Sequence, residues 1–105
     1  MTYNAYDASS REARLLRADA GDYIKRLRIE AQLTQRQLSE ILGLEYYTFV
    51  SQLECGQGRL PPKLWVMTAK ALGQDPKEFS LKMLGFYDPY AHHAITTGKN
   101  KICLM

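Results

Sequence analysis

A run of neutral hydrogen-bonding side chains lies between residues 46 and 52. Its members are four hydroxyls and one amide: Tyr46, Tyr47, Thr48, Ser51 and Gln52. If this segment is helical, Phe49, Val50 and Leu53 turn inward and leave the polar groups exposed. A merely solvated helix face usually carries charge, whereas none of these groups is Lys, Asp or Glu. Such a face suits base-pair edges, because Gln can pair with adenine N6 and N7, and Ser or Thr can pair either way.

Other residue types that do chemistry are few and scattered. Cys55 and Cys103 match no metal spacing, and the adjacent His92 and His93 would point to different faces of a helix. The histidines and Cys103 could together hold a metal, but a disordered tail is the favoured interpretation. We therefore predict no metal, no disulfide and no cofactor. Paired carboxylates, a nucleophile elbow and a phosphate loop are also missing from the sequence, so an enzyme is not predicted.

Size and composition limit the class of protein. The chain has 105 residues, 46% of them apolar, which is enough for one small domain with a compact core. No stretch approaches the roughly 18 uncharged apolar residues of a membrane span. The polar N-terminus has no apolar h-region of a secretion signal, so we expect a cytoplasmic protein. The net charge of +3 and pI near 8.9 permit DNA binding without arguing for it.

The apolar pattern predicts an all-α fold. Thr34 is a helix N-cap by type, because its hydroxyl can accept from a first-turn N–H. The helix that it starts is predicted over residues 35–42 and ends at Gly43. A second helix is predicted over residues 46–54, and two such helices joined by a glycine-bearing turn form a helix-turn-helix by arrangement. Further helices are predicted over residues 10–19, 22–31, 61–72 and 76–84.

Capping and stop signals set the other boundaries. Ser9 and Glu12 have the spacing of a capping box, and Asp75 followed by Pro76 is an N-cap and N1 pair. Glycine is predicted to break or end a helix at positions 21, 73 and 85. We divide the chain into a partly helical N-terminal segment over residues 1–19, a DNA-binding domain over 20–85 and a C-terminal tail over 86–105.

The predicted inward faces contain one charged residue. Arg28 shares a helical face with Ile24, Leu27 and Ala31, where an arginine is unusual. The other inward residues are predicted to be Leu38, Ile41 and Leu42, then Phe49, Val50 and Leu53, and then Leu64, Trp65, Met67, Thr68, Ala71 and Leu72.

Several motifs in this region occur in the order seen in one known family. They are Leu33-Thr34-Gln35, Leu38-Ser39-Glu40, Leu42-Gly43-Leu44, Val50-Ser51-Gln52-Leu53-Glu54 with Gly56, and then Pro61, Ala69-Lys70-Ala71-Leu72-Gly73 and Phe79. In these motifs, residues 20–82 resemble the phage repressor and Cro type (XRE-like) of helix-turn-helix domain. The resemblance implies a five-helix repressor-like domain without catalytic activity, usually dimeric on a palindromic operator.

The resemblance also implies a role for each matching position. The base-contacting residues would be Tyr46, Tyr47, Thr48, Ser51 and Gln52. Gln35 would contact a phosphate and steady the recognition helix. Backbone N–H groups of residues 56–58, that of Gln57 included, would hold phosphates together with Arg59 and Lys63. Apart from the resemblance, Arg36 is expected to be exposed, either near a phosphate or as a solvated surface charge. Arg28 and Glu54 match a buried ion pair that links the first and recognition helices, so they are assigned to structure.

One departure concerns the turn of the predicted motif. The family has one residue fewer before the buried aliphatic position that matches Val50. Either the turn is longer here or the recognition helix begins earlier. The usual Ser or Thr cap is also missing, and Glu45 lies near its place. The register of Tyr46 and Tyr47 depends on which alternative holds.

Two functions fit this sequence. The first is a sequence-specific repressor that occupies its operator as a homodimer. The alternative is an antitoxin-type regulator, in which the tail or the N-terminal segment binds a toxin protein. Phe86, Tyr87 and Tyr90 make the tail too apolar for an idle linker, so it would pack across a dimer or back onto the preceding helix.

Overall fold

The protein is all-α in the part that the structure describes. The structure, a computed structural model, describes residues 11–101 and the side chains of residues 11–97. Its α-helices are α1 Arg11–Glu30, α2 Gln35–Ile41, α3 Thr48–Glu54, α4 Trp65–Ala71, α5 Pro76–Tyr87 and α6 Pro89–Lys101. None of these helices is both long and apolar enough to cross a membrane. The predicted all-α class is confirmed, whereas Ser9, Cys103 and the apolar end over residues 102–105 lie outside the described residues.

The first helix is continuous, so the predicted break at Gly21 is wrong. α1 runs through Gly21, and the predicted segment boundary between residues 19 and 20 falls inside it. Gly21 is buried against the end of α3, where a Cβ atom would overlap the carbonyl oxygen of Leu53 and lie 2.8 Å from that of Glu54. The glycine therefore allows two helices to approach closely, and it does not end one.

The short helix α2 is capped as predicted but presents a different inner face. The Thr34 hydroxyl accepts from Gln37 N–H at 3.0 Å, and the Gln37 side chain accepts from Thr34 N–H at 2.8 Å. Leu38 and Leu42 are buried, but Ile41 is 47% exposed, so its predicted inward position is wrong. At 3.6 residues per turn, the inward side lies between residues 38, 39 and 42, which leaves Ile41 at its edge. Ser39 is buried in its place.

One hydrophobic core joins the first five helices. It consists of Ala20, Ile24, Leu27, Leu38, Leu42, Val50, Leu53, Leu60, Ala69, Leu72, Phe79 and Met83. α1 contacts both α3 and α5, and α4 packs on α5. α3 is therefore supported from behind by the longest helix of the described chain.

The helix predicted over residues 61–72 begins with a turn of 3₁₀ helix, Pro62–Leu64. α-Helical register starts only at Trp65, and positions 65, 68, 69 and 72 then face inward. Thr68 and Ala69 are buried, whereas Met67 is 45% exposed. The predicted inward position of Met67 is therefore wrong.

The C-terminal region is helical and packs on the same molecule. α5 passes through Gly85, where its predicted end is wrong, and continues to Tyr87. Asp88 then caps α6 by accepting from Ala91 N–H at 3.0 Å, so residues 89–101 of the predicted tail form a helix. Phe86 lies 5.6 Å from Tyr23 between ring centroids and packs against the core. Of the two alternatives for the apolar residues 86 and 87, the structure shows packing back onto the chain.

Candidate nucleic-acid interface

The outward face of α3 carries short polar side chains at helical spacing. Thr48, Ser51, Gln52 and Cys55 lie at i, i+3, i+4 and i+7, which places them on one side of the helix. Thr48, Gln52 and Cys55 are exposed and Ser51 is half-buried. Val50 and Leu53 are buried on the other side. Three of the five residues predicted to contact bases thus share one helix face.

The two tyrosines of the predicted set precede the helix. α3 begins at Thr48, so the predicted start at residue 46 is wrong and the connection from α2 is the longer alternative. Tyr47 is the N-cap residue, in αR conformation and without a side-chain cap bond, so Glu45 does not take the cap position. Tyr46 is 65% exposed and Tyr47 is 44% exposed. Both rings are therefore accessible beside the first turn of α3.

Arg36 and Tyr47 form a cation–π pair between α2 and the start of α3. The guanidinium carbon of Arg36 lies 4.8 Å from the centroid of the Tyr47 ring, within the usual range of about 6 Å. Both residues, with Tyr46, line a shallow groove whose lining also includes Glu40 and Glu45. This end of the candidate interface therefore has mixed charge.

A buried ion pair fixes the other end of α3. Arg28 Nε donates to Glu54 Oε2 at 2.6 Å and Nη2 donates to Oε1 at 3.0 Å, so the contact is bidentate. The two side chains are 10% and 3% exposed. Arg28 Nη1 also donates to the Leu33 carbonyl oxygen at 2.8 Å. The pair predicted for Arg28 and Glu54 is present, and it joins α1 to α3.

Gln35 extends this contact to α2. Its side-chain amide Nε2 donates to Glu54 Oε1 at 2.9 Å, and the residue is half-buried. One carboxylate thus accepts from α1 and from α2 and fixes both helices relative to α3. The part of the prediction in which Gln35 steadies α3 agrees with this bond, and its phosphate contact stays a prediction.

The ion pair buries the negative charge of α3. Glu54 is the only acidic residue of the helix, which has no Lys or Arg. Because the ion pair encloses this carboxylate, the polar side chains that α3 exposes are the uncharged Thr48, Ser51 and Gln52. A neutral face of this kind can approach a polyanion without like-charge repulsion.

The loop after α3 uses some of the N–H groups that were predicted to hold phosphates. Gly56 has φ of +79°, the left-handed conformation of a glycine after a helix end. Its N–H donates to the Leu53 carbonyl oxygen at 3.0 Å, and Gln57 N–H donates to that of Gln52 at 2.9 Å. Phosphate contact through these two N–H groups is therefore wrong, because they close α3. The side chains of Arg59 and Lys63 are exposed, and their phosphate contacts stay predictions.

Tyr87 is a residue of this region that the sequence reasoning did not assign to it. Its hydroxyl oxygen accepts from Leu60 N–H at 3.0 Å, and its ring lies 4.8 Å from the guanidinium carbon of Arg59. Burial raises the pKa of Tyr87, an effect that the bond from Leu60 and the charges of Arg59 and Arg17 partly oppose. Tyrosine at this position gave no local signal, because its contacts are distant in sequence.

Within residues 11–101, no group of three or more His, Cys, Asp and Glu side chains is placed to hold a metal ion. Cys55 has a free, exposed thiol. No match was found when the chain was compared with models of known protein families and with curated protein sequences.

Proposed function

We propose that this protein is a sequence-specific duplex-DNA-binding regulator of transcription of the helix-turn-helix type, and that it represses by occupying an operator as a homodimer. The observation that carries the proposal is the exposed face of α3, which is neutral and rich in hydrogen-bonding groups because Glu54 is enclosed by Arg28. The proposal includes a cytoplasmic location and no catalytic step.

The dimensions of α3 support this proposal. The helix has 7 residues and is therefore about 10 Å long at ~1.5 Å per residue. The major groove of B-DNA is roughly 12 Å wide and admits one helix. With α3 in the groove, Gln52 is positioned to pair with an adenine edge, and Thr48 and Ser51 can donate or accept. Tyr46 and Tyr47 lie beside the first turn and would contact bases or backbone at its edge.

The support of α3 also favours this function. A helix that discriminates between bases must keep its side chains in one geometry, since each correct bidentate pair contributes about 1–3 kcal/mol only when it is aligned. Arg28 from α1 and Gln35 from α2 both donate to Glu54 at the end of α3. The cation–π contact between Arg36 and Tyr47 adds a connection at its start.

Selection of duplexes from a randomised pool by the purified chain tests the proposal directly. We expect one enriched sequence that binds at least about 10³-fold more tightly than random duplex. As a homodimer, the protein should select two inverted half-sites whose centres are roughly 34 Å apart. A pool that shows no enrichment would contradict sequence-specific binding, and a single unrepeated half-site would contradict the dimer.

Gln52→Ala is expected to weaken binding to the selected duplex by about 1–3 kcal/mol and to relax preference at one base position. The amide is exposed on α3, so its loss should leave folding unchanged. Competition gel shifts with duplexes altered at each position measure both effects. Gln74→Ala is the control, because it removes the same kind of side chain from a position outside the candidate interface. The Gln74 amide donates to the Leu72 carbonyl oxygen after α4. Equal binding by the two variants would show that Gln52 is not part of the interface.

Arg59→Gln is expected to weaken binding to all duplexes to a similar degree. A phosphate contact carries no sequence information, but it releases counterions. The slope of log K against log salt should therefore become shallower by about 0.9. Lys77→Gln, on the first turn of α5, removes the same charge and serves as the control. Equal slopes for the two variants would show that only net charge matters.

A further inference from the structure

The end of α5 makes two contacts with the loop after α3. Tyr87 is the last residue of α5, and its hydroxyl oxygen accepts from Leu60 N–H at 3.0 Å across 27 positions of sequence. Its ring faces the Arg59 guanidinium, with 4.8 Å between Cζ and the ring centroid. One side chain therefore contacts two consecutive residues of the loop.

The rest of the loop is fixed independently of Tyr87. At its start, Gln57 N–H donates to the Gln52 carbonyl oxygen at 2.9 Å. At its end, Leu60 is 1% exposed, and its carbonyl oxygen accepts from Trp65 Nε1 at 2.9 Å. Arg59 lies between these anchors with an exposed side chain, and its guanidinium lies over the Tyr87 ring. This contact restricts where its charge lies.

We propose that Tyr87 is a positioning residue for DNA binding, which holds the Arg59 guanidinium over its ring so that the guanidinium meets a phosphate of the duplex. The inference rests on the proposed function. An arginine side chain has many rotamers, and a ring against its flat face reduces the entropy lost when it binds. A cation–π contact supplies no oxygen acceptor, so the guanidinium N–H groups can still donate to phosphate oxygens.

The environment of Tyr87 fits this role. The residue is half-buried, and burial raises the pKa of its phenol, so the hydroxyl is neutral at physiological pH. A neutral ring adds no negative charge beside a phosphate. The hydrogen bond from Leu60 N–H to the Tyr87 hydroxyl oxygen holds the ring beside the loop backbone.

The test uses the full chain and a mixed-sequence duplex about three helical turns long, with affinity measured by fluorescence anisotropy over a series of salt concentrations. The variants are Tyr87→Leu, Arg59→Gln and the two combined. We expect Tyr87→Leu to make the salt slope shallower by about 0.9, as Arg59→Gln does, although no charge is removed. In the combined variant the slope should change no further. A purely structural role of Tyr87 would lower the melting temperature and leave the slope unchanged.

Tyr87→Phe provides a second cycle if Tyr87→Leu does not fold, because it keeps the ring and removes only the acceptor for Leu60. We expect it to weaken binding about two- to threefold, and not at all when combined with Arg59→Gln. Equal weakening in both backgrounds would overturn the inference. A changed slope for Arg59→Gln with an unchanged slope for Tyr87→Leu would also overturn it and leave the proposed function standing. A wild-type chain that binds no duplex would overturn both.

Discussion

Replacement of Glu54 by alanine is expected to lower the free energy of unfolding by about 3–5 kcal/mol. The carboxylate accepts twice from Arg28 and once from Gln35. Its removal leaves the Arg28 guanidinium buried, with the Leu33 carbonyl oxygen at 2.8 Å as its remaining acceptor among the described residues. A cation kept from water without its counter-ion retains its desolvation cost. The loss therefore exceeds the roughly 1 kcal/mol of an ordinary hydrogen bond.

Urea unfolding followed by circular dichroism measures this loss of free energy. In thermal unfolding of a domain of this length, the melting temperature should fall by more than about 10 °C. Glu40→Ala is the matched control, because it removes an exposed carboxylate from α2 and should change stability by no more than about 0.5 kcal/mol. Equal stability of the two variants would mean that the buried pair does not hold α1, α2 and α3 together.

A double replacement separates stability from orientation. In Arg28→Met with Glu54→Leu no charge stays buried, and we expect most of the lost stability to return. Gln35 still lacks its acceptor and the bidentate contact is gone, so α3 is less firmly oriented. We expect specific DNA binding to remain weaker than in the wild-type chain, as measured on the selected duplex.

The glycines show how far local sequence signals reach. Gly43 and Gly73 were predicted to end helices, and they have φ of +71° and +72° with open space where a Cβ would lie. Gly21 and Gly85 carry the same residue type but lie inside α1 and α5. Only the neighbouring helix distinguishes the two kinds. A glycine in the sequence therefore does not by itself indicate a helix end, because tertiary packing decides whether the helix continues through it.

The candidate site divides in a similar way. The ion pair of Arg28 could be predicted because a charge on an apolar helix face requires a partner. The family resemblance then identified Glu54 as that partner. Asp88 followed by Pro89 repeats the signal correctly interpreted at Asp75, and the same logic would have predicted α6. Tyr87 had no such signal. Its contacts with the loop depend on where α5 packs, which periodicity does not encode.

Gly21→Ala is expected to destabilise the protein, although the same change in an ordinary helix stabilises it by about 1 kcal/mol. The added Cβ would overlap the Leu53 carbonyl oxygen and lie 2.8 Å from the Glu54 carbonyl oxygen. These are backbone atoms at the end of α3, so no side chain can rotate away and the two helices must separate. We expect a net loss of at least about 1–3 kcal/mol, the usual cost of an overpacked core.

Gly85→Ala is the matched comparison, since it also adds a methyl group to a glycine inside a helix. There the Cβ would lie 3.3 Å from ring atoms of His92, a side chain that can shift by a few tenths of an ångström. Thermal unfolding of both variants should therefore show a much larger loss of stability for Gly21→Ala than for Gly85→Ala. Because the strain falls on the carbonyl groups of residues 53 and 54, it also displaces the end of α3 that holds the buried carboxylate. Specific DNA binding should then weaken at temperatures where the Gly21→Ala variant is still folded. A Gly21→Ala protein that is both more stable and unchanged in DNA binding would contradict the close approach of α1 to α3 at Gly21.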